Sequence, residues 1–248
     1  MKTFKKISLY LVFSVLFFMK ATTSSFAASG AAVNYINIVY ALMLCEEGST
    51  LSSCSNPTVI RSTPGGTSMN IGGVSAGESA GSYGNLNTLV PGTTYTYGQV
   101  VLDRSFTISG TGKDDVGGDD CQTGSGAAGT ATAFAVGSEG TSTATSQTIY
   151  AANGTGNGDA MNSSPNTDET TTGDAAAGTL SSTASHKYMK FRWELASPYT
   201  YTGTKVPRMT ISFDLSAGLS FNGECGGTAG TTNGITPGSP VITNKIYE

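Results

Sequence analysis

Apolar and polar residues alternate at several places along this chain, and a period of two predicts strands. From Ile36 the even positions Ile36, Ile38, Tyr40, Leu42 and Leu44 are apolar, which places them on one face of a strand ending at Cys45. Residues 187–195 (KYMKFRWEL) alternate again, with Met189, Phe191, Trp193 and Leu195 facing one way and Lys190, Arg192 and Glu194 the other. Met209, Ile211, Phe213 and Leu215 repeat the pattern, and Leu219 and Phe221 follow closely. Further strands are predicted over 58–61, 93–102, 106–109 and 241–247, the first stopped by Pro64-Gly65-Gly66. The strand over 93–102 follows Pro91-Gly92, a pair that favours a type II turn. Beyond residue 27 no 3.6-residue apolar period persists long enough to predict a helix. The expected fold class is all-β: an antiparallel β-sandwich whose layers come from the strand-rich N- and C-terminal thirds.

Between those thirds, residues 110–185 are made largely of Gly, Ala, Ser, Thr, Asn and Asp. Only 130–136 (TATAFAV) and 147–152 (QTIYAA) read as strands there, and 162–177 has almost nothing to bury. Such a stretch cannot offset its ordering entropy alone. It is predicted to be an insertion or extended surface loop on a single domain spanning 28–248, with a disordered linker as the rival reading.

The first residues have a different character. Lys2, Lys5 and Lys6 precede an apolar run from Ile7 to Met19, and Ser25-Phe26-Ala27 puts small residues at the −3 and −1 positions of a leader-peptidase site. Residues 1–27 are therefore predicted to be a cleaved signal peptide. The run is shorter than the roughly 20 residues of a membrane span. No cysteine follows the cut, which argues against a lipid anchor. Export to the periplasm, cell surface or extracellular medium, from a bacterial cell, is the expectation.

Cleavage leaves nine basic residues against seventeen acids, a net charge of −8. Nucleic acid and anionic membrane are poor partners for such a chain, because both call for clustered Lys and Arg. Charged residues make up 12% of the sequence, about half the ordinary share, so its surface is hydroxyl-rich. Four cysteines in an exported chain imply disulfides, with three connectivities open. Cys45 and Cys54 flank a turn-like segment and are paired here, and Cys121 with Cys225 by default. No Cys-x-x-Cys occurs, and with His186 as the sole histidine a zinc site would lack its usual ligands. Asp114, Asp115, Asp119 and Asp120 crowd around two glycines in KDDVGGDDC and form a candidate calcium site, since calcium takes six to eight oxygens from flexible loops. A solvated acidic turn gives the same letters, and no other cofactor is expected.

Leu89-Val90-Pro91-Gly92-Thr93-Thr94-Tyr95 resembles the tyrosine corner of immunoglobulin-like and fibronectin type III sandwiches. The resemblance implies a structural role for Tyr95, whose hydroxyl would return to backbone just upstream and pin the loop between sheets. The C-terminus resembles chaperone–usher pilins, with penultimate Tyr247 closing an alternating run and Gly234 upstream. That likeness implies assembly with like subunits.

Catalytic constellations are sparse. A Ser-His-Asp triad would have to pass through His186, and Gly77-Glu78-Ser79-Ala80-Gly81 is the bare spelling of a nucleophile elbow without a helix pattern after it. Asp103, Glu194 and Asp214 lie on or beside strands and are candidate carboxylate pairs. Tyr83, Tyr97, Tyr199 and Tyr201 are candidates for a sugar-stacking face, Tyr199 and Tyr201 foremost. The leading expectation is a non-enzymatic, exported structural or adhesive subunit, with like subunits, other surface proteins or glycans as partners. The alternative is a carbohydrate- or calcium-binding module, and a secreted hydrolase ranks third.

Overall fold

The computed structural model describes residues 29–73, 86–103, 105–124, 126, 135–150, 158–161, 188–228, 234–238 and 240–247. Apart from a short 3-10 turn at Leu86–Thr88, the regular structure is all β. In order the strands are β1 (Ser29–Glu46), β2 (Thr58–Asn70), β3 (Thr94–Asp103), β4 (Ser105–Lys113), β5 (Asp120–Gln122), β6 (Ser138–Glu139) and β7 (Gln147–Tyr150). There follow β8 (Gly158–Met161), β9 (Tyr188–Thr200), β10 (Arg208–Asp214), β11 (Leu219–Asn222), β12 (Gly234–Pro237) and β13 (Val241–Tyr247). Eleven of them form one antiparallel sheet, and β10 and β13 form a separate two-stranded ribbon.

The spine of the large sheet is β1. Along one edge it pairs with β3 over Val39–Glu46 and with β4 over Gly30–Ile36, so β3 and β4 act as one long bent strand. Its other edge takes β2 over Ile36–Leu44 and β11 at Ser29 and Gly30. Outside β3 lie β9 and then β8; outside β4 lie β7 and β5, with β6 beyond β5. At the Ser29 end the sheet curls into a half-barrel until its two flanks meet. There Ala135 bridges Ile235, and Asp114 bridges Phe221. The fold is all-β and antiparallel, as expected, and its layers are one curled sheet and a narrow ribbon laid over its open half.

The single apolar face expected over Ile36–Leu44 is not kept. A register shift between Val39 and Ala41 makes Tyr40 an extra residue, and a bulge reverses the facing of everything beyond it. Leu42 and Leu44 join one core cluster, while Tyr40 and Met43 join another on the opposite side. Residues 40–45 are buried throughout, which is why they read as an unbroken apolar run. Opposite this bulge, β2 loops out between Ser62 and Thr67 and then continues, so Pro64-Gly65-Gly66 interrupts the ladder without ending the strand. An outer strand tolerates proline there because the looped residues donate nothing to the ladder.

The loop expected over 110–185 is corrected wherever those residues are described. β5, β6, β7 and β8 are members of the large sheet, and Cys121, Ala135 and Ile149 are fully buried beside Tyr35, Phe106, Ile108, Leu219 and Phe221. Few apolar residues are available; Cys121, Ala135, Val136 and Ile149 are placed inward while Val116 stays exposed, and polar neighbours supply further bonds. Thr123 Oγ1 donates to Thr145 O at 2.7 Å, and Gln147 Oε1 accepts from Gly124 N at 3.0 Å.

Two disulfides fasten the arrangement. Cys45–Cys54 closes the loop after β1 with a Cα separation of 5.2 Å. Cys121–Cys225 joins β5 to the turn after β11 across 104 residues, Cα to Cα 6.1 Å. No helix among the described residues is long and apolar enough to cross a membrane.

Candidate functional site

The acidic segment folds as a turn built around one carboxylate. Asp114 is completely buried, and its Oδ1 accepts from the amides of Gly117, Gly118 and Asp119 at 3.0, 2.8 and 3.1 Å. Its Oδ2 accepts from Cys225 N at 3.4 Å. Burial alone would push this carboxyl's pKa up, but the four amide donors together hold it below the usual carboxylate range. Asp115 accepts from Gly223 N at 2.7 Å, and Asp120 pairs with Lys113 Nζ at 2.8 Å on the surface. Among the described residues the four aspartates do not gather around one point. The one close cluster of ligand-type side chains is Asp114, Cys121 and Cys225, whose sulfurs are already joined. Asp114 ties the β4–β5 turn to the β11 side of the half-barrel.

Tyr95 lies fully buried near the start of β3. Its hydroxyl accepts from Val90 N at 3.1 Å and shares a 3.2 Å hydrogen bond with Thr58 Oγ1. The turn it holds has Thr93 N donating to Val90 O, with Gly92 at φ +83° as a type II turn requires. Tyr201 belongs to the same construction. Its side chain is 8% exposed in the core, and its backbone bonds to Gly92 N and Thr93 O. Tyr199 is half-buried against the same cluster. Of the two sugar-stacking candidates, Tyr201 thus turns its ring into the core beneath the turn, and Tyr199 stays partly exposed.

Of the candidate carboxylates, Asp103 and Glu194 do not meet. Asp103 pairs with Tyr188 and Glu194 with Tyr97, six positions apart along the β3–β9 ladder. That spacing is about 20 Å, beyond the reach of glycosidase acid–base pairs. Asp103 is buried and accepts from Ser105 N at 2.9 Å, Ser105 Oγ at 2.8 Å and Tyr40 Oη at 3.2 Å. Asp214 is exposed at the end of β10 and accepts from Ser216 N at 2.9 Å. Ser79, Tyr83 and His186 lie outside the described residues. Lys190 and Arg192, read as outward, are 1% and 4% exposed. β9 is flanked by β3 and β8, and the loop closed by Cys45–Cys54 lies over this face. Arg192 donates to Gln99 Oε1 at 2.5 Å and to Leu51 O at 3.2 Å.

What the alternating pattern did not disclose is a cleft between the curled sheet and the β10–β13 ribbon. The ribbon turns Ile211, Phe213 and Ile242 inward; facing them are Val39, Leu42, Val100, Leu102, Phe106, Met189, Phe191 and Trp193. The cleft between the layers has a volume of about 100 Å³ and is partly open to solvent. It follows the seam between the two main core clusters, one around Phe106 and Met189 and one around Leu42 and Trp193. Tyr35 closes one side by donating its hydroxyl to Gly238 O at 2.9 Å, and burial raises the pKa of that phenol well above the ordinary tyrosine value. The sequence signal for the cleft was Asn37, a polar residue set among apolar ones on β1.

On the ribbon's other face, Thr210, Ser212, Asp214, Thr243, Lys245 and Tyr247 surround a shallow polar depression. Comparison with protein-family models, curated proteins and solved structures finds no match.

Proposed function

We propose that this chain is an exported, non-enzymatic subunit of the cell envelope or extracellular medium, structural or adhesive in role, that joins copies of itself along β13. The observation that supports this most directly is the placement of β13. Its inner residues Ile242 and Ile246 pack on the core, and Asn244 Oδ1 accepts from Ala196 N at 3.3 Å. Among the described residues its ladder is with β10 alone. The outer edge therefore offers main-chain donors and acceptors to an incoming strand, between Val241 and Tyr247 at 64% and 52% exposure.

Other features agree with this reading. Two disulfides suit an oxidising compartment outside the cytoplasm. The hydroxyl-rich outer face of the ribbon suits contact with a glycan or another surface protein. The pilin likeness noted at the C-terminus fits an edge strand that ends in Tyr247. Cell fractionation followed by electrophoresis in sodium dodecyl sulfate tests it. The expected result is a surface fraction containing a ladder of higher-mass species. A Val241→Lys/Tyr247→Lys variant should lose the ladder while its monomer stability stays within about 1 kcal/mol, because both side chains are exposed. Monomer alone in surface fractions of the unaltered protein would contradict the proposal.

A further inference from the structure

Asn37 and Trp193 both line the cleft, and each keeps a buried polar atom without a partner among the described residues: Asn37 Oδ1 and Trp193 Nε1. Their side chains belong to residues only 7% and 6% exposed. A buried polar group left unpaired is costly, and native interiors carry few of them. Asn37 is not loosely placed. Its Nδ2 donates to Asp103 O at 2.8 Å and Ser105 O at 3.0 Å, where β3 gives way to β4, so the amide orientation is fixed. Oδ1 is left as an acceptor held at one end of an apolar space.

The shape of that space follows from the ladders. Asn37 stands two residues beyond the Val39–Leu102 pair, and Trp193 pairs with Gly98. The two orphan atoms thus belong to levels six residues apart, about 20 Å along the strands. Between them the lining is hydrocarbon: Val39, Leu102 and Met189, then Leu42, Val100 and Phe191. Asn37 and Arg61 are the exceptions among the sheet-side residues, and Arg61 is half-buried on β2, with donors engaged by Thr63 Oγ1 and Thr67 Oγ1. Among the described residues no carboxylate lines the cleft. A mainly apolar space with Asn37 at one end, Trp193 at the other and Arg61 between them at the level of Leu42 suits an extended hydrocarbon chain.

We propose that the cleft binds a single-chain amphiphile with an uncharged, hydroxyl-bearing head, such as a fatty alcohol or a monoacylglycerol. The head hydroxyl donates to Asn37 Oδ1. The chain runs between the sheet and the ribbon toward Trp193, whose Nε1 accommodates a second acceptor oxygen where the ligand has one.

Trp193 is the only tryptophan of the chain, so intrinsic fluorescence reports from inside the site. The full-length mature protein is titrated with 1-dodecanol while emission and thermal midpoint are recorded. Expected are a saturable emission change, one dodecanol per chain, and a rise in midpoint. Dodecane, which lacks the hydroxyl, should bind about tenfold more weakly. Asn37→Leu should bring the two ligands to within about twofold of each other. Val100→Phe, which fills the middle of the cleft, should abolish the response while the protein retains its strand-type circular dichroism. No response from the unaltered protein overturns the proposal. An undiminished response in Val100→Phe places the ligand elsewhere and overturns it equally. Equal affinity for dodecanol and dodecane in the unaltered protein removes Asn37 as the head-group partner and overturns the assignment of the ligand class.

Discussion

Replacing Cys121 and Cys225 together by alanine is expected to destabilise the protein by about 4–5 kcal/mol, the chain-entropy value for a loop near 100 residues. Their bridge spans 104 residues, whereas Cys45–Cys54 spans nine and is worth about 2.5–3 kcal/mol on the same basis. The long bridge also lies inside the core, since both cysteines are buried in the cluster with Phe221 and Ile235. It holds β5 against the turn after β11, where, among the described residues, the half-barrel closes by two isolated bridges and a hydrogen bond from Gly226 N to Gly137 O. A closure with so few main-chain bonds depends on the covalent link more than the β1–β3–β9 ladders do. In a chain of this size the loss corresponds to a fall in thermal midpoint of about 10–20 °C. Thermal unfolding followed by circular dichroism measures it, with the Cys45→Ala/Cys54→Ala variant as the milder comparison. A smaller fall for the Cys121/Cys225 pair than for the Cys45/Cys54 pair would contradict this reading of the closure.

Asp114→Ala comes next in size. Four amides, those of Gly117, Gly118, Asp119 and Cys225, lose their acceptor at once. Hydrogen bonds to a charged group are worth about 1.5–3 kcal/mol each, and water can replace those nearest the surface, so a net loss of about 3 kcal/mol is expected. The pH dependence has a definite sign. Burial raises the carboxyl's pKa, the amides lower it by more, and the folded value lies below the unfolded one. The stabilisation is therefore fully present above the unfolded carboxylate pKa of about 3.9, and it is lost as pH falls through the lower folded value. Urea unfolding between pH 2 and pH 6 should show a shallower acid limb in Asp114→Asn than in the unaltered protein. Parallel limbs would mean that Asp114 is not the titrating anchor described here.

Much of the strand content was legible because period-two alternation survives wherever one face meets the core. Met189, Phe191, Trp193 and Leu195 are buried as their spacing implies, and β13 runs over the residues its pattern marks. The pairing of cysteines was legible as well, since Cys45 and Cys54 are near neighbours and only one partner then remained for Cys121. Three features escaped for physical reasons. Tyr40 is a bulge, and a single inserted residue reverses a face without changing the composition. The short strands β5 (DCQ), β6 (SE) and β7 (QTIY) are held by β-ladder pairing, by buried polar residues such as Gln147 and by one disulfide, so hydrophobic alternation is weak there. Lys190 and Arg192 are buried because a second face of β9 is covered, and sequence spacing cannot reveal a cover contributed from elsewhere in the chain. The candidate site was less legible still. It depends on where a ribbon of residues 208–214 and 241–247 lies over β1, β3 and β9, and only the polar Asn37 in an apolar strand hinted at it.

Amide hydrogen exchange, resolved by peptide across residues 105–150, tests most directly whether the middle of the chain belongs to the same core as its ends. Protection in β4, β5 and β7 that falls together with protection in β1 and β11, in one cooperative unfolding event, is the predicted result. Exchange of 105–150 at the rate of an unstructured peptide, while β1, β3 and β9 stay protected, would contradict the half-barrel and return this segment to the outside of the fold.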